Sequence, residues 1–123
     1  ALATLFLLAD QISWLERRGG LAWAAARAER SSDIVYRWAE VSPIASPFVT
    51  DPRHRSTTVV TVDLDEAVPA AVVTEVLRRN GIVDAEGYRK LGRNQLRIAT
   101  FPNVDPDDVE TLLAAIDHIA ERI

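Results

Sequence analysis

Apolar residues recur three and four positions apart from the start of the chain, at Leu2, Leu5, Phe6, Ala9, Ile12 and Leu15, which is the stripe of an amphipathic helix. Gly19-Gly20 predicts its end near Arg18, since glycine readily takes the left-handed conformation that closes a helix. A second helical stretch runs from Leu21 to about Glu40, with Ala24, Ala25, Ala28, Val35 and Trp38 on one side. Two helices joined by so tight a turn predict an antiparallel hairpin over residues 1–40. Ala1 enters the first helix with no Ser, Thr, Asp or Asn to cap it. The chain also contains no methionine, and the reading predicts a helix whose beginning has been removed.

Pro43 and Pro47 break the helical period, so residues 41–56 read as an extended connection with a turn at Asp51-Pro52. From Thr57 to Leu64 the period becomes two. Val60, Val62 and Leu64 face one way and Thr57, Val59, Thr61 and Asp63 the other, as in a half-buried strand. Pro69 opens a third helix striped by Val73, Val76 and Leu77 and stopped at Asn80-Gly81. A short strand is expected over Ile82–Asp84, a loop over 85–95, and a clear strand from Leu96 to Phe101. The last helix is signalled by Asp105 as cap, Pro106 at the first position, and an apolar face of Val109, Leu112, Leu113, Ile116, Ile119 and Ile123. The order from residue 57 onward predicts an α/β class of the two-layer α+β kind: a small domain over 57–123, mostly antiparallel sheet with helices on one face. The 1–40 hairpin would join that domain to whatever precedes Ala1.

The length of 123 residues fits one domain, with the hydrophobic and charged fractions of a globular protein. Cysteine is absent, which rules out disulfides and thiolate metal sites. No apolar run reaches the roughly 18 residues that a membrane helix requires, and the cytoplasm is the default compartment. A net charge of −4 disfavours nucleic acid as a partner. Anion binding must therefore come from a local cluster of cations.

One such cluster exists. Arg89, Lys90, Arg93 and Arg97 fall within ten positions after Tyr88 with no acid among them, and Gly87 and Gly92 allow backbone to approach a ligand. Arginine offers a planar fork that matches carboxylate and phosphate, and lysine offers a point charge. Arg97 alternates with Leu96 and Ile98, which places it in mid-strand on the face away from the core. A surface ion pair with Asp63 on the neighbouring strand is its competing role. His54 and His118 stand far apart with no ligand pattern around them, and no metal site, nucleophile triad or phosphate-cradling glycine loop is present. Trp14, Trp23 and Trp38 lie in the hairpin, where filling space is their simplest role. A stand-alone anion-binding module and a dimerisation domain both remain open on the residues alone.

The stretch from Gly81 to Pro102, with Gly87-Tyr88-Arg89-Lys90-Leu91-Gly92-Arg93 leading into Arg97, resembles the C-terminal domain of phosphoserine aminotransferases of the actinobacterial type. Phe48 to Pro52 with Arg55-Ser56 is similar to the entry to that domain. The resemblance covers the whole chain. It implies part of a homodimeric fold-type-I enzyme that uses pyridoxal 5'-phosphate to move an amino group between glutamate and 3-phosphohydroxypyruvate. By the same resemblance Arg97 would hold the substrate α-carboxylate, and Tyr88 and Arg89 would lie by its phosphate. Many members carry histidine at the position of Tyr88 and a shorter loop before the carboxylate arginine, which leaves Arg89, Lys90 and Arg93 as competitors for the phosphate. Lys90 is the only lysine and lacks the family's Schiff-base pattern. The reactive lysine is therefore expected upstream of residue 1, with no cofactor bound to this chain alone.

Overall fold

A computed structural model describes residues 1–123. Helix α1, Leu2–Arg18, turns at Gly19 into α2, Gly20–Val41, and Gly19 takes φ 118°, which an L side chain would resist. The connection that follows contains a three-residue strand, β1, Ala45–Pro47, and a single 3₁₀ turn at Pro52–His54 capped by the Asp51 carboxylate. Strand β2, Val59–Leu64, helix α3, Ala70–Arg79, strand β3, Gln95–Ala99, and helix α4, Pro106–Ala120, complete the chain.

The three strands form an antiparallel sheet in the order β1-β2-β3. Ser46 stands opposite Asp63, Asp63 opposite Gln95, and Thr61 opposite Arg97. Val60, Val62, Leu64, Leu96 and Ile98 point from one face into the core, where Val35, Tyr36 and Ala39 of α2, Val73 and Leu77 of α3, and Val109, Leu113 and Ile116 of α4 meet them. The helices thus cover one face of the sheet. The other face carries Val59, Thr61, Asp63, Arg97 and Ala99.

Burying the core against water is the main drive, and polar contacts fix how the layers sit. The Arg27 guanidinium on α2 donates to the Pro102 carbonyl at 2.8 Å and to the Asp105 carboxylate at 2.9 Å, just where Asp105 caps α4. At the other end of α4, the Trp38 indole N–H donates to Asp117 at 3.0 Å. Trp38 therefore ties α2 to α4, while Trp14 and Trp23 pack edge to face across the α1–α2 turn with centroids 5.5 Å apart. Arg55 fixes the entry to β2: it donates to Glu40 at 2.6 Å and to the Val49 carbonyl at 3.1 Å, and stacks on the Tyr36 ring.

Two expectations need correcting. Residues Ile82–Asp84 form no strand, because Asp84 adopts φ 64° and turns the chain out of the extended region. Pairing with β3 is delayed to the next residues, where Arg97 N–H donates to the Ala85 carbonyl at 3.0 Å and Glu86 bridges to Leu96. The last strand also starts one residue earlier than expected and stops at Ala99, before Phe101.

α1 contributes no buried residue; Leu2, Leu5, Phe6, Leu7 and Leu8 are all more than half exposed. The buried part of α2 is different. Ser31 and Ser32 lie there fully enclosed, and whereas Ser32 donates to the Glu29 carbonyl, the Ser31 hydroxyl has no hydrogen-bond partner. An enclosed, unpaired hydroxyl is costly, and alanine is the better helix former. Ser31→Ala is therefore expected to leave stability unchanged or raise it by about 1 kcal/mol, as read from the urea unfolding midpoint; a clear loss would mean that the hydroxyl is satisfied.

Candidate functional site

The loop between α3 and β3 is held from three sides. Beside the two backbone pairings to β3, Gly87 passes so close to that strand that a Cβ there would lie 2.9 Å from the Gln95 carbonyl oxygen. Only glycine fits such an approach. The loop then turns through a 3₁₀ step at Arg89–Leu91 and leaves it at Gly92, which has φ 65°. Tyr88, Arg89 and Lys90 consequently project from a short turn anchored immediately beside the strand that carries Arg97.

Asn94 anchors the far end. Its side-chain amide donates to the carbonyls of Leu64, Asp65 and Val68 at 2.9 to 3.2 Å, and its oxygen accepts from Ala70 N–H at 2.7 Å. The residue before α3 is Pro69, which offers no side-chain cap, so Asn94 caps that helix from across the fold.

An open concavity of about 910 Å³ brings Tyr88, Arg89, Lys90 and Arg97 together, with Arg78, Asp84 and Glu86 on its rim. A second, of about 550 Å³, lies against α3 and is lined by Thr74, Glu75, Arg93 and Gln95, with Arg78, Glu86, Tyr88 and Arg89 shared. Arg78, Glu86, Gly87, Tyr88 and Arg89 line both. None of Arg89, Lys90 and Arg97 has a carboxylate within 4.0 Å, although Arg78 and Arg93 do. Three cations without acid partners thus gather at one opening.

Arg93 is separated from them by chemistry. It meets Asp63 through two hydrogen bonds of 3.1 and 2.7 Å and lies over the Phe48 ring. Gln95, itself buried, donates to the same carboxylate at 2.7 Å. Burial pushes the Asp63 carboxyl up, but the hydrogen bonds from Arg93 and Gln95 outweigh it and hold the group below the ordinary carboxylate range. The competing pairing of Arg97 with Asp63 is not made. The register puts Asp63 opposite Gln95 and Arg97 opposite Thr61, one pleat apart on the same face, and Arg93 reaches back across that step instead.

The histidines stand outside this cluster. His54 is exposed with Nδ1 3.9 Å from Asp51, and His118 is exposed on α4. The role of Asn94 and the pairing of Arg78 with Glu86 at 2.5 Å were not foreseen. An asparagine directly before a strand was the one available signal. No helix is long and apolar enough to cross a membrane, and no group of three or more metal-ligating side chains comes together.

No family model matches the chain. A phosphoserine aminotransferase of Rhodococcus jostii (strain RHA1) is 55% identical over 123 residues, which is 100% of this chain and 33% of that protein, and one of Nocardioides sp. is 54% identical over the same extent. The chain is homologous to part of the phosphoserine aminotransferases. It spans about a third of the length of these curated relatives. The solved phosphoserine aminotransferase of Bacillus circulans subsp. alkalophilus superposes with a TM-score of 0.79 at 22% identity, covering 89% of this chain and 30% of that one. Another phosphoserine aminotransferase structure, described for radiation damage of its Schiff base, superposes with a TM-score of 0.73 at 21% identity, covering 90% and 31%. This structural likeness speaks for the fold, a small sheet with helices on one face.

Proposed function

We propose that this chain is the C-terminal, substrate-holding third of a phosphoserine aminotransferase, which transfers an amino group from glutamate to 3-phosphohydroxypyruvate in serine biosynthesis. The observation that carries the reading is the gathering of Arg89, Lys90 and Arg97, free of acid partners, around one concavity. A ligand with a carboxylate at one end and a phosphate at the other suits that arrangement. Arg97 sits on a strand whose backbone is paired on both sides. It is the fixed member, and its fork is the natural partner of a carboxylate. Arg89 and Lys90, on the turn, take the phosphate, with Tyr88 placed to donate its hydroxyl. Arg93 already faces Asp63 and is the weakest of the phosphate candidates.

Pyridoxal phosphate would supply the electron sink for transamination. The residues here do not fit that group. A Schiff-base lysine needs enclosure and a partner for the ring nitrogen, but Lys90 is exposed on its turn, and the acids of the concavity, Asp84 and Glu86, already face Arg78. In this reading the lysine comes from another part of a homodimeric, cytoplasmic enzyme, and the present residues bind and orient the substrate.

The test separates the two anionic ends. In the full-length enzyme, Arg89→Ala is expected to slow the half-reaction with the phosphorylated substrate by about tenfold or more, the loss of one charge-assisted contact, and to slow the glutamate half-reaction far less. Single-turnover absorbance of the bound cofactor reads the two separately. Equal slowing of both, or of neither, would remove Arg89 from the phosphate site.

A further inference from the structure

Arg78 and Glu86 stand in the wall shared by both concavities, and Glu86 is out of place there. A carboxylate at an opening meant for anions repels what the opening should admit, and it competes for the same guanidinium groups. Its position is forced by the backbone: Glu86 bridges to Leu96, next to Arg97, and precedes Gly87 at its tight approach to β3. The chain cannot carry the loop elsewhere without losing those contacts.

Arg78 answers this charge. From the last turn of α3 it reaches Glu86 at 2.5 Å and stands 4.0 Å from Asp84. The hydrogen bond from Arg78 holds the Glu86 carboxyl below the ordinary range, and the same contact raises Arg78. Without Arg78 the unpaired cations Arg89, Lys90 and Arg97, which share the same concavity, become the alternatives for Glu86. The site would then be filled from within.

We propose that Arg78 is a positioning residue that never touches the substrate: by sequestering the Glu86 carboxylate it keeps Arg89, Lys90 and Arg97 free, and so sets the affinity of the site for phosphorylated ligands. This rests on the anion-site reading given above. The guanidinium suits the task because the same Nη2 nitrogen that holds Glu86 also stands 4.0 Å from Asp84, so one cation answers both acids.

The experiment uses the full-length enzyme, with inorganic phosphate as a competitive inhibitor and the KM values of both substrates as readouts. Arg78→Ala is expected to weaken phosphate inhibition and raise KM for the phosphorylated substrate by about five- to tenfold, the scale of one unit charge acting across a partly solvated gap. The effect should shrink as salt screens that charge, and kcat should change little. Glu86→Gln alone should bind phosphate as well as the parent or better. The decisive variant is the double one, Arg78→Ala with Glu86→Gln, which should return to within about threefold of Glu86→Gln, because the Glu86 charge has gone and the remaining acid, Asp84, is solvent-exposed. A double variant as weak as Arg78→Ala would show that Arg78 contacts the ligand itself and would overturn the proposal, as would an Arg78→Ala enzyme with unchanged phosphate inhibition. Glu86→Gln also keeps the question open to measurement should Arg78→Ala fold poorly: a loss of phosphate affinity in that variant contradicts the proposal. Arg89→Ala is the control, since unaltered phosphate inhibition there means that the anion-site reading has failed.

Discussion

In the phosphoserine aminotransferase proposed above, replacing Arg97 by alanine is expected to lower kcat/KM by about ten- to a hundredfold for 3-phosphohydroxypyruvate and for glutamate alike. Each of these substrates carries an α-carboxylate, and a hydrogen bond to a charged group contributes roughly 1.5–3 kcal/mol. The symmetry of the loss is the diagnostic part. Thr61 beside Arg97 is neutral, and no carboxylate pairs with the guanidinium in the unliganded chain, so nothing needs to be broken before a ligand binds. The fold should survive, because Arg97 is exposed and faces away from the core. Arg97→Lys should recover only part of the rate, since an ammonium cannot reproduce a two-pronged contact. The two half-reactions are measured separately under single-turnover conditions. If both proceed normally without Arg97, the carboxylate is held elsewhere and Arg93 is the next residue to replace.

The second large effect concerns stability. Asn94→Ala removes a side-chain partner from three carbonyl oxygens and one N–H, those of Leu64, Asp65, Val68 and Ala70, of which the Asp65 carbonyl keeps its bond from Val68 N–H. Hydrogen bonds contribute about 1 kcal/mol each, and a lost helix cap costs a similar amount, so a destabilisation of about 2–4 kcal/mol is expected. Asn94→Asp separates the two parts of this role. Aspartate keeps the acceptor for Ala70 N–H but has no donors for the carbonyls, and its charge would lie among oxygen atoms. It should therefore retain hydrogen-exchange protection at the start of α3 while still losing much of the unfolding free energy. Protection at Ala70 that is unchanged in Asn94→Ala would show that the cap is unimportant.

How far the sequence revealed this arrangement depended on whether a feature was periodic. The alternation in β2 and most of the stripes of α3 and α4 reported the core face correctly, because burial imposes its period on the residues themselves, although Val76 lies outside the core and Ile123 falls beyond the end of α4, half exposed. Strand β1 carries no such record. Three residues with Pro47 at one end read as a break, yet a strand with a single neighbour tolerates proline, which it need not pair on its free side. Asp84 misled in the opposite way: Ile82 and Val83 look extended, and an aspartate tolerates a positive φ better than most side chains without requiring it. At the site, the cationic cluster was visible as composition, and the structure brings Tyr88, Arg89, Lys90 and Arg97 to one opening. What could not be read was the division of the acids among the arginines. That Asp63 takes Arg93 and Glu86 takes Arg78 follows from strand register and loop path, which no spacing rule contains.

The stapling of residues 85–87 to β3 has a consequence of its own. With Ala85 and Glu86 paired to the strand and Gly87 pressed against Gln95, the distance from the backbone of the turn to that of Arg97 is fixed, and the exposed side chains of Arg89, Lys90 and Arg97 adjust only around it. On the proposed function the two groups would work as the jaws of a caliper. Such a device sorts ligands by length before it sorts them by charge: a dianion whose two ends are spaced to the gap can engage both jaws, and a shorter one must give up one of them. On this view selectivity lies in a glycine that touches no ligand, and lengthening the loop by a residue would change which molecules are admitted without altering a single charge.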